Sequence, residues 1–232
     1  MEILSLIEQF QFNFLDDRRW QFIVSGLKNT IIITFFAVLL GVFLGFLIAI
    51  VRSTHDKTGK LKILNVICRV YLTVIRGTPT MVQLLIVYYV IFATVDPGKV
   101  IVAIIAFGMN SAAYVAEIVR SGIMSIDQGQ FEAGRSLGLN YTQTMTKIIL
   151  PQAVKNILPA LGNEMIVLLK ETSISGYIGL TDLTRGGDII RSQTYSALFP
   201  LLAVAAIYLV IVCFLTYLVG RLERRLRNNE RK

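Results

Sequence analysis

Residues 131–151, FEAGRSLGLNYTQTMTKIILP, form a polar island between two strongly apolar stretches, and the reading of that island decides the architecture. Asp127 or Ser125 can cap a helix over 128–137, because a short oxygen-bearing side chain accepts from the free N–H groups of a first turn. Gly138 suits the left-handed residue that ends such a helix. Asn140 and Gln143 have the spacing of a capping box, so a second helix starts there and reaches Pro151, where the next element begins. Phe131, Leu137 and Leu139 stay available for a partner. Glu132, Ala133, Gly138, Ile148, Leu150 and Pro151 also fall on one spacing: E-A-x, three residues, Gly, nine residues, I-x-L-P.

The surrounding chain is too apolar for a soluble protein. It has 232 residues, 54% of them hydrophobic, and a mean hydropathy of +0.64. The apolar residues come in long runs, which predicts an all-α protein that crosses the bilayer several times. Cys68 and Cys213 both fall inside such runs and are expected to be buried, inert thiols. The lone His55 has no companion ligand, so no metal site is expected. The start, MEILSLIEQF, lacks the basic region and small-residue cleavage site of a signal peptide.

Residues 1–21 mix apolar and charged positions around the single Trp20 and read as an interfacial segment. Residues 29–51 are 23 positions without a charge and form a first span. Gly41 and Gly45 have GxxxG spacing there, which allows close helix approach and by itself is weak evidence for dimerisation. A basic turn is expected over 52–62. The apolar run 63–94 would be roughly 48 Å long as one helix, against a hydrocarbon core of roughly 30 Å. Arg76-Gly77-Thr78-Pro79 interrupts it, so a break is expected at that point. A third span is expected over 100–119, a fourth over 151–169 and a fifth over 198–220. A polar loop over 170–197 has room for a short helix, and a basic tail occupies 221–232.

Charge sets the orientation. The segments 52–62, 120–155 and 221–232 hold 14 of the 23 Lys and Arg residues against 5 acids, and the opposite side holds 7 basic and 8 acidic residues. The positive-inside rule therefore puts the N-terminus outside and places residues 125–151 and the C-terminus in the cytoplasm. The net charge of +8 then reads as a topology and anionic-lipid feature, with no nucleic-acid role.

The spacing of the 131–151 island resembles the "EAA" loop of ABC importer membrane subunits. The five-span layout, Arg76-Gly77-Thr78-Pro79 followed by Gln83, and Leu168-Leu169-Lys170-Glu171-Thr172-Ser173 extend the likeness over most of the chain. Together they resemble the permeases of polar amino-acid ABC importers, the histidine/arginine/glutamine type. The resemblance implies a MetI-like fold in a bacterial inner membrane and a pairing of two permease copies, identical or paralogous. It also implies a separate ATPase that binds ATP and Mg, and an external amino-acid-binding protein. Phe131, Glu132, Ala133, Gly134, Gly138, Leu150 and Pro151 would form the coupling contact with the ATPase. Gly134 stands where the family has Ala, which costs up to roughly 1 kcal/mol of helix propensity. No cofactor is expected on this chain: Gly59-Lys60 lacks the rest of a phosphate-binding loop, so the chain is no enzyme.

Ionisable groups at membrane depth are costly and point to function. Glu117 can pair with Arg120 three residues on, and Arg69 can snorkel to the cytoplasmic surface. Glu164, beside Asn163 in the fourth span, has no cation one turn away. It fits either a cationic substrate side chain or an ion pair with Arg76. At the break, Arg76 and nearby backbone would take the substrate carboxylate. Thr73, Asn110 and Tyr114 are further cavity-lining candidates. The function expected is uptake of Arg, Lys or His by alternating access. Glutamine or glutamate uptake is the alternative, and a stand-alone secondary transporter a more distant one.

Overall fold

A computed structural model describes residues 5–228. Residues 1–4 and 229–232, the start of the expected interfacial segment and the end of the basic tail, lie outside the described residues. All regular structure among the described residues is helical. Its main elements are α1 (Leu6–Phe10), α2 (Trp20–Thr58), α3 (Lys62–Gly77), α4 (Thr80–Ile86, extended by a π-helical turn to Ile91) and α5 (Lys99–Met124). They continue with α6 (Gln128–Ser136), α7 (Tyr141–Thr144), α8 (Leu150–Glu171), α9 (Leu183–Thr194) and α10 (Leu198–Asn228). Among the described residues α2, α5 and α10 are long and apolar enough to cross a membrane alone, and the bent pair α3–α4 makes a fourth span. α8 has the length, at 22 residues, but interrupts its apolar face with Lys155, Asn156, Asn163 and Glu164. Helices thus cover all five expected stretches, and up to four of these, with the bent pair counted as one, are apolar enough to cross a membrane.

Two boundaries differ from the expectation. α2 continues helically through Arg52 to Thr58, because nothing in that stretch breaks a helix. The basic turn shrinks to the residues around Gly59, whose φ of +66° supplies the left-handed stop. α10 likewise carries the basic tail as helix to Asn228. A third difference is Cys213, which is exposed while Cys68 is buried. α10 packs along one stripe only and turns Leu209, Val210, Phe214 and Tyr217 outward, as a lipid-facing helix does.

The core forms where α2, α4, α5 and α8 meet. Ile33, Leu84, Phe107 and Leu168 are fully buried in one cluster. α5 runs alongside α2 in the same direction, with Gly41 against Ser111 and Gly45 against Val115. A Cβ added at these glycines would lie 2.8 and 2.6 Å from those side chains. The GxxxG pair thus serves an approach within the chain. α8 runs the opposite way, with Ile157 against Gly122 and Glu164 against Ser111.

α9 seats in the polar 170–197 loop between α2 and α10, burying Leu183, Ile190 and Val204 with Ile23. The carboxylate of Asp182 caps α9, accepting from the N–H groups of Thr184 at 3.0 Å and Arg185 at 3.3 Å. Burial pushes this carboxyl up to about 6, against the pull of those N–H bonds. Asn29 Nδ2 donates to Thr181 O at 2.8 Å, and the Thr30 hydroxyl accepts from Leu183 N–H at 3.1 Å, which ties the loop to α2.

Candidate functional site

The break falls where Pro79, which has no N–H, follows Arg76, Gly77 and Thr78, and it bends α3 from α4 by 113°. Such a break frees carbonyls that need donors. The side chain of Gln83 supplies one: Nε2 donates to Ile75 O at 2.7 Å, Thr78 O at 3.0 Å and Thr78 Oγ1 at 2.9 Å. Gln83 is in turn held by Asn110, whose Nδ2 donates to Gln83 Oε1 at 2.9 Å and lies 3.4 Å from the Thr80 hydroxyl. The break is therefore clamped to α5.

Asn110, Tyr114 and Glu117 follow one face of α5 at i, i+4 and i+7. Arg76 lies across the lower part of that face, its Cζ 5.9 Å from the centre of the Tyr114 ring and its Nη1 3.6 Å from Glu117 Oε2. Arg52 Nη1 is 3.8 Å from the same Oε2. Arg120 Nη1 donates to Glu117 Oε1 at 3.2 Å, as its i,i+3 spacing suggests. One carboxylate thus holds three guanidinium groups. They line an open cavity of about 440 Å³ together with Arg69, Leu72, Thr73 and Gly77.

Glu164 has the opposite environment. The Ser111 hydroxyl donates to its Oε1 at 3.1 Å, and no Lys or Arg nitrogen of the described residues lies within 4 Å of it. The ion pair between Arg76 and Glu164 is not formed, because Glu117 takes the Arg76 guanidinium. Ser111 and Glu117 are six residues apart, about 9 Å along α5. Arg76, Asn110, Tyr114 and Glu164 thus gather along two adjacent faces of α5. Thr73 lines the cavity but donates its hydroxyl to Arg69 O at 2.9 Å. Asn163 is exposed, next to Glu164 in the chain. Arg52, Ser111 and Thr80 were not singled out from the sequence. Ser111 follows Asn110, and only the packing of α8 gives it Glu164 as a partner.

The 131–151 island folds as its caps dictate. Asp127 accepts from Gly129 N–H at 2.6 Å to start α6, whereas Ser125 accepts from Asn156 Nδ2 at 2.8 Å and does not cap. Gly138 takes a φ of +73° after α6. Asn140 and Gln143 make both bonds of a capping box at 2.9 Å. α7 then runs through a π-helical turn, Met145–Ile149, into α8, so Leu150 and Pro151 open the fourth span without a break.

Gly134 requires a correction. A Cβ there would lie 2.5 Å from Thr144 Cγ2 and 2.7 Å from its Oγ1. The glycine is set by the close approach of α6 to α7, so its propensity cost is offset by contact. Glu132, Ala133 and Leu137 are exposed, and Phe131 lines a hollow of about 310 Å³ with Gln128, Arg135, Tyr141 and Thr144.

Residues 38–228 match the family described as the inner membrane component of binding-protein-dependent transport systems. The chain belongs to that permease family. A relative, the arginine transport system permease ArtQ of Bacillus subtilis, is 38% identical over 211 residues, covering 90% of this chain and 94% of that protein. The glutamine transport system permease GlnP of Escherichia coli K12 is 36% identical over 208 residues, covering 88% and 93%. A solved amino acid ABC transporter with histidines is 43% identical with a TM-score of 0.83, over 91% of this chain and 98% of its own. The inward-facing methionine transporter MetNI, at 20% identity and a TM-score of 0.74 over 89% and 97%, shares the fold. This permease therefore works in a membrane, as the MetI-like helical fold requires.

Proposed function

We propose that this permease forms the translocation path of an amino-acid ABC importer, with a preference for cationic substrates. The observation that carries the preference is Glu164, a carboxylate near mid-span whose one hydrogen bond comes from Ser111. An anion at that depth without a cation favours a ligand that brings one. Arg76 then takes the substrate carboxylate beside Tyr114, at the break that Gln83 holds open to the path. Thr73, Asn110 and Asn163 complete the polar lining. Phe131, Glu132, Ala133, Gly138, Leu150 and Pro151 form the face offered to a separate ATPase that binds ATP and Mg, with Gly134 shaping it from beneath, where α6 seats on Thr144. A second permease copy and an external binding protein complete the importer. The N-terminus lies outside and the C-terminus in the cytoplasm, as the distribution of Lys and Arg supports.

A second reading, glutamine or glutamate uptake, draws support from the kinship with GlnP. The two separate in one experiment: ATPase activity of the reconstituted permease, ATPase and binding protein with single amino acids added. The cationic reading expects stimulation by arginine, lysine or histidine and a tenfold or larger loss of arginine stimulation in Glu164→Gln. That loss corresponds to about 1.4 kcal/mol or more, the range of a hydrogen bond to a charged group. Stimulation by glutamine with an indifferent Glu164→Gln overturns it in favour of the second reading. A folded permease that recruits no ATPase overturns both.

A further inference from the structure

The mouth of the path beside Arg76 carries more positive charge than it can use internally. Arg52, Arg69, Arg76 and Arg120 all line the 440 Å³ cavity, and Glu117 is its one acid. Of the three guanidiniums on Glu117, Arg120 is hydrogen-bonded at 3.2 Å and Arg52 is the most buried, with 18% of its side chain exposed. Arg76 stands differently. Like Arg52 at 3.8 Å, it sits beyond ordinary hydrogen-bond length, at 3.6 Å, but it is the most exposed of the three at 44%, which leaves it open to the cavity. Its neighbour Gly77 adds to the opening, since a Cβ placed there would meet nothing within 4 Å.

We propose that Glu117 is a stand-in for the substrate carboxylate, occupying the Arg76 guanidinium until a substrate exchanges for it. The exchange is electrostatically even. When a free carboxylate takes Arg76, Glu117 keeps Arg52 and Arg120, and no buried charge is orphaned on either side, which is the costly outcome of breaking an ion pair. The incoming carboxylate can face the guanidinium in the two-pronged geometry that Glu117, shared among three arginines, does not offer. Tyr114 stacks against Arg76 in both arrangements and keeps the guanidinium in place. Because Arg120 lies near the C-terminal end of α5, whose last residue, Met124, is followed by the segment into α6, Glu117 also links occupancy of Arg76 to the side of the chain that carries the coupling helices. Glu117 is thus a positioning residue: it acts on the substrate through Arg76 and sets the affinity for any α-carboxylate.

This inference rests on the reading of Arg76 as the carboxylate site, and it holds for a cationic or an amide substrate alike. The test uses the complete reconstituted transporter and measures the concentration for half-maximal ATPase stimulation by L-arginine and by L-glutamine. Agmatine, which is arginine without its carboxylate, serves as the control. In Glu117→Gln that concentration is expected to fall three- to tenfold for whichever amino acid stimulates the wild type, with no change in the response to agmatine. Glu117→Asp, which keeps the charge for Arg52 and Arg120 but withdraws it by one methylene, is expected to fall by less and guards against misfolding of the glutamine variant. An unchanged concentration in both variants, or an equal shift for agmatine, overturns the exchange. If agmatine stimulates the wild type as well as arginine does, Arg76 is no carboxylate site and the underlying reading fails first.

Discussion

Glu117 and Glu164 are the two acids within the spans, and Glu164 meets α5 at Ser111, six residues or about 9 Å along that helix from Glu117, yet they are opposites. Glu117 is saturated, with three guanidiniums within 4 Å. Glu164 has one hydroxyl donor. A partly buried carboxylate that already holds cations, as Glu117 does, is stable without a ligand. A carboxylate left without them costs stability and persists for another reason, which in a transport protein is a ligand. The contrast separates an acid that acts through the cations it already holds from one that awaits a cation, more cleanly than depth does, since both lie within the membrane-spanning helices.

The widest test of that contrast replaces each acid by leucine and compares thermal stability of the purified permease. Glu164→Leu removes an uncompensated charge, so the midpoint is expected to stay or rise. Glu117→Leu leaves three cations facing one another and is expected to cost about 1–2 kcal/mol, reduced from the fully buried case because the arginines are partly solvated. Equal losses in both variants would make Glu164 a structural acid whose partner is not a ligand.

The clamp at the break is as large a matter for the path itself. Gln83→Leu keeps the volume but strips the donor from Ile75 O and Thr78 O, carbonyls that the bend has freed. The expected cost is about 1–3 kcal/mol for the unmet acceptors, together with loss of substrate stimulation as Arg76 shifts. Gln83→Glu, which keeps the shape but offers acceptors where donors are needed, is expected to be no better. A neutral Gln83→Leu would show that water satisfies the break and that the clamp is incidental.

The sequence made the local features legible and left the tertiary ones hidden. Caps and stops are written in a few adjacent residues, so Asp127, Gly138 and the Asn140–Gln143 box fell where their chemistry put them. Pro79 marked the break for the same reason. Partners from different helices carry no such signature. Arg52 closes on Glu117 only because α2 lies along α5, and Ser111 reaches Glu164 only because α8 packs there. The stripe Asn110, Tyr114, Glu117 is readable as helical spacing, and that spacing alone puts Glu117 on the same face as Asn110 and Tyr114. Gly41 and Gly45 announced a close approach but not to whom, and the answer was α5 of the same chain. Residues 52–58 misled because a run of charge reads as a turn, whereas a helix continues until something stops it, and here that is Gly59.

The smallest expected effect concerns Gly134, where local propensity and packing point in opposite directions. Propensity alone says that Gly134→Ala stabilises α6 by up to about 1 kcal/mol. The approach to Thr144 says otherwise, since the added methyl would sit 2.5 Å from Thr144 Cγ2 and overpacking of this kind costs about 1–3 kcal/mol. The net expectation is a loss of roughly 1 kcal/mol in Gly134→Ala, seen as weaker co-purification with the ATPase because α6 and α7 no longer close. Thr144→Ala is expected to lose a few tenths of a kcal/mol with its hydroxyl bond to Asn140 O, made at 3.1 Å. In the double variant the contacts at 2.5 and 2.7 Å are gone, the tight one to Thr144 Cβ at 3.1 Å remains, and the alanine propensity is kept, so Gly134→Ala with Thr144→Ala should cost far less ATPase binding relative to Thr144→Ala than Gly134→Ala costs alone. That non-additivity identifies the pair as one packing unit. If Gly134→Ala improves binding in both backgrounds, the glycine is a propensity defect after all, and the close seat of α6 on α7 is not what shapes the coupling face.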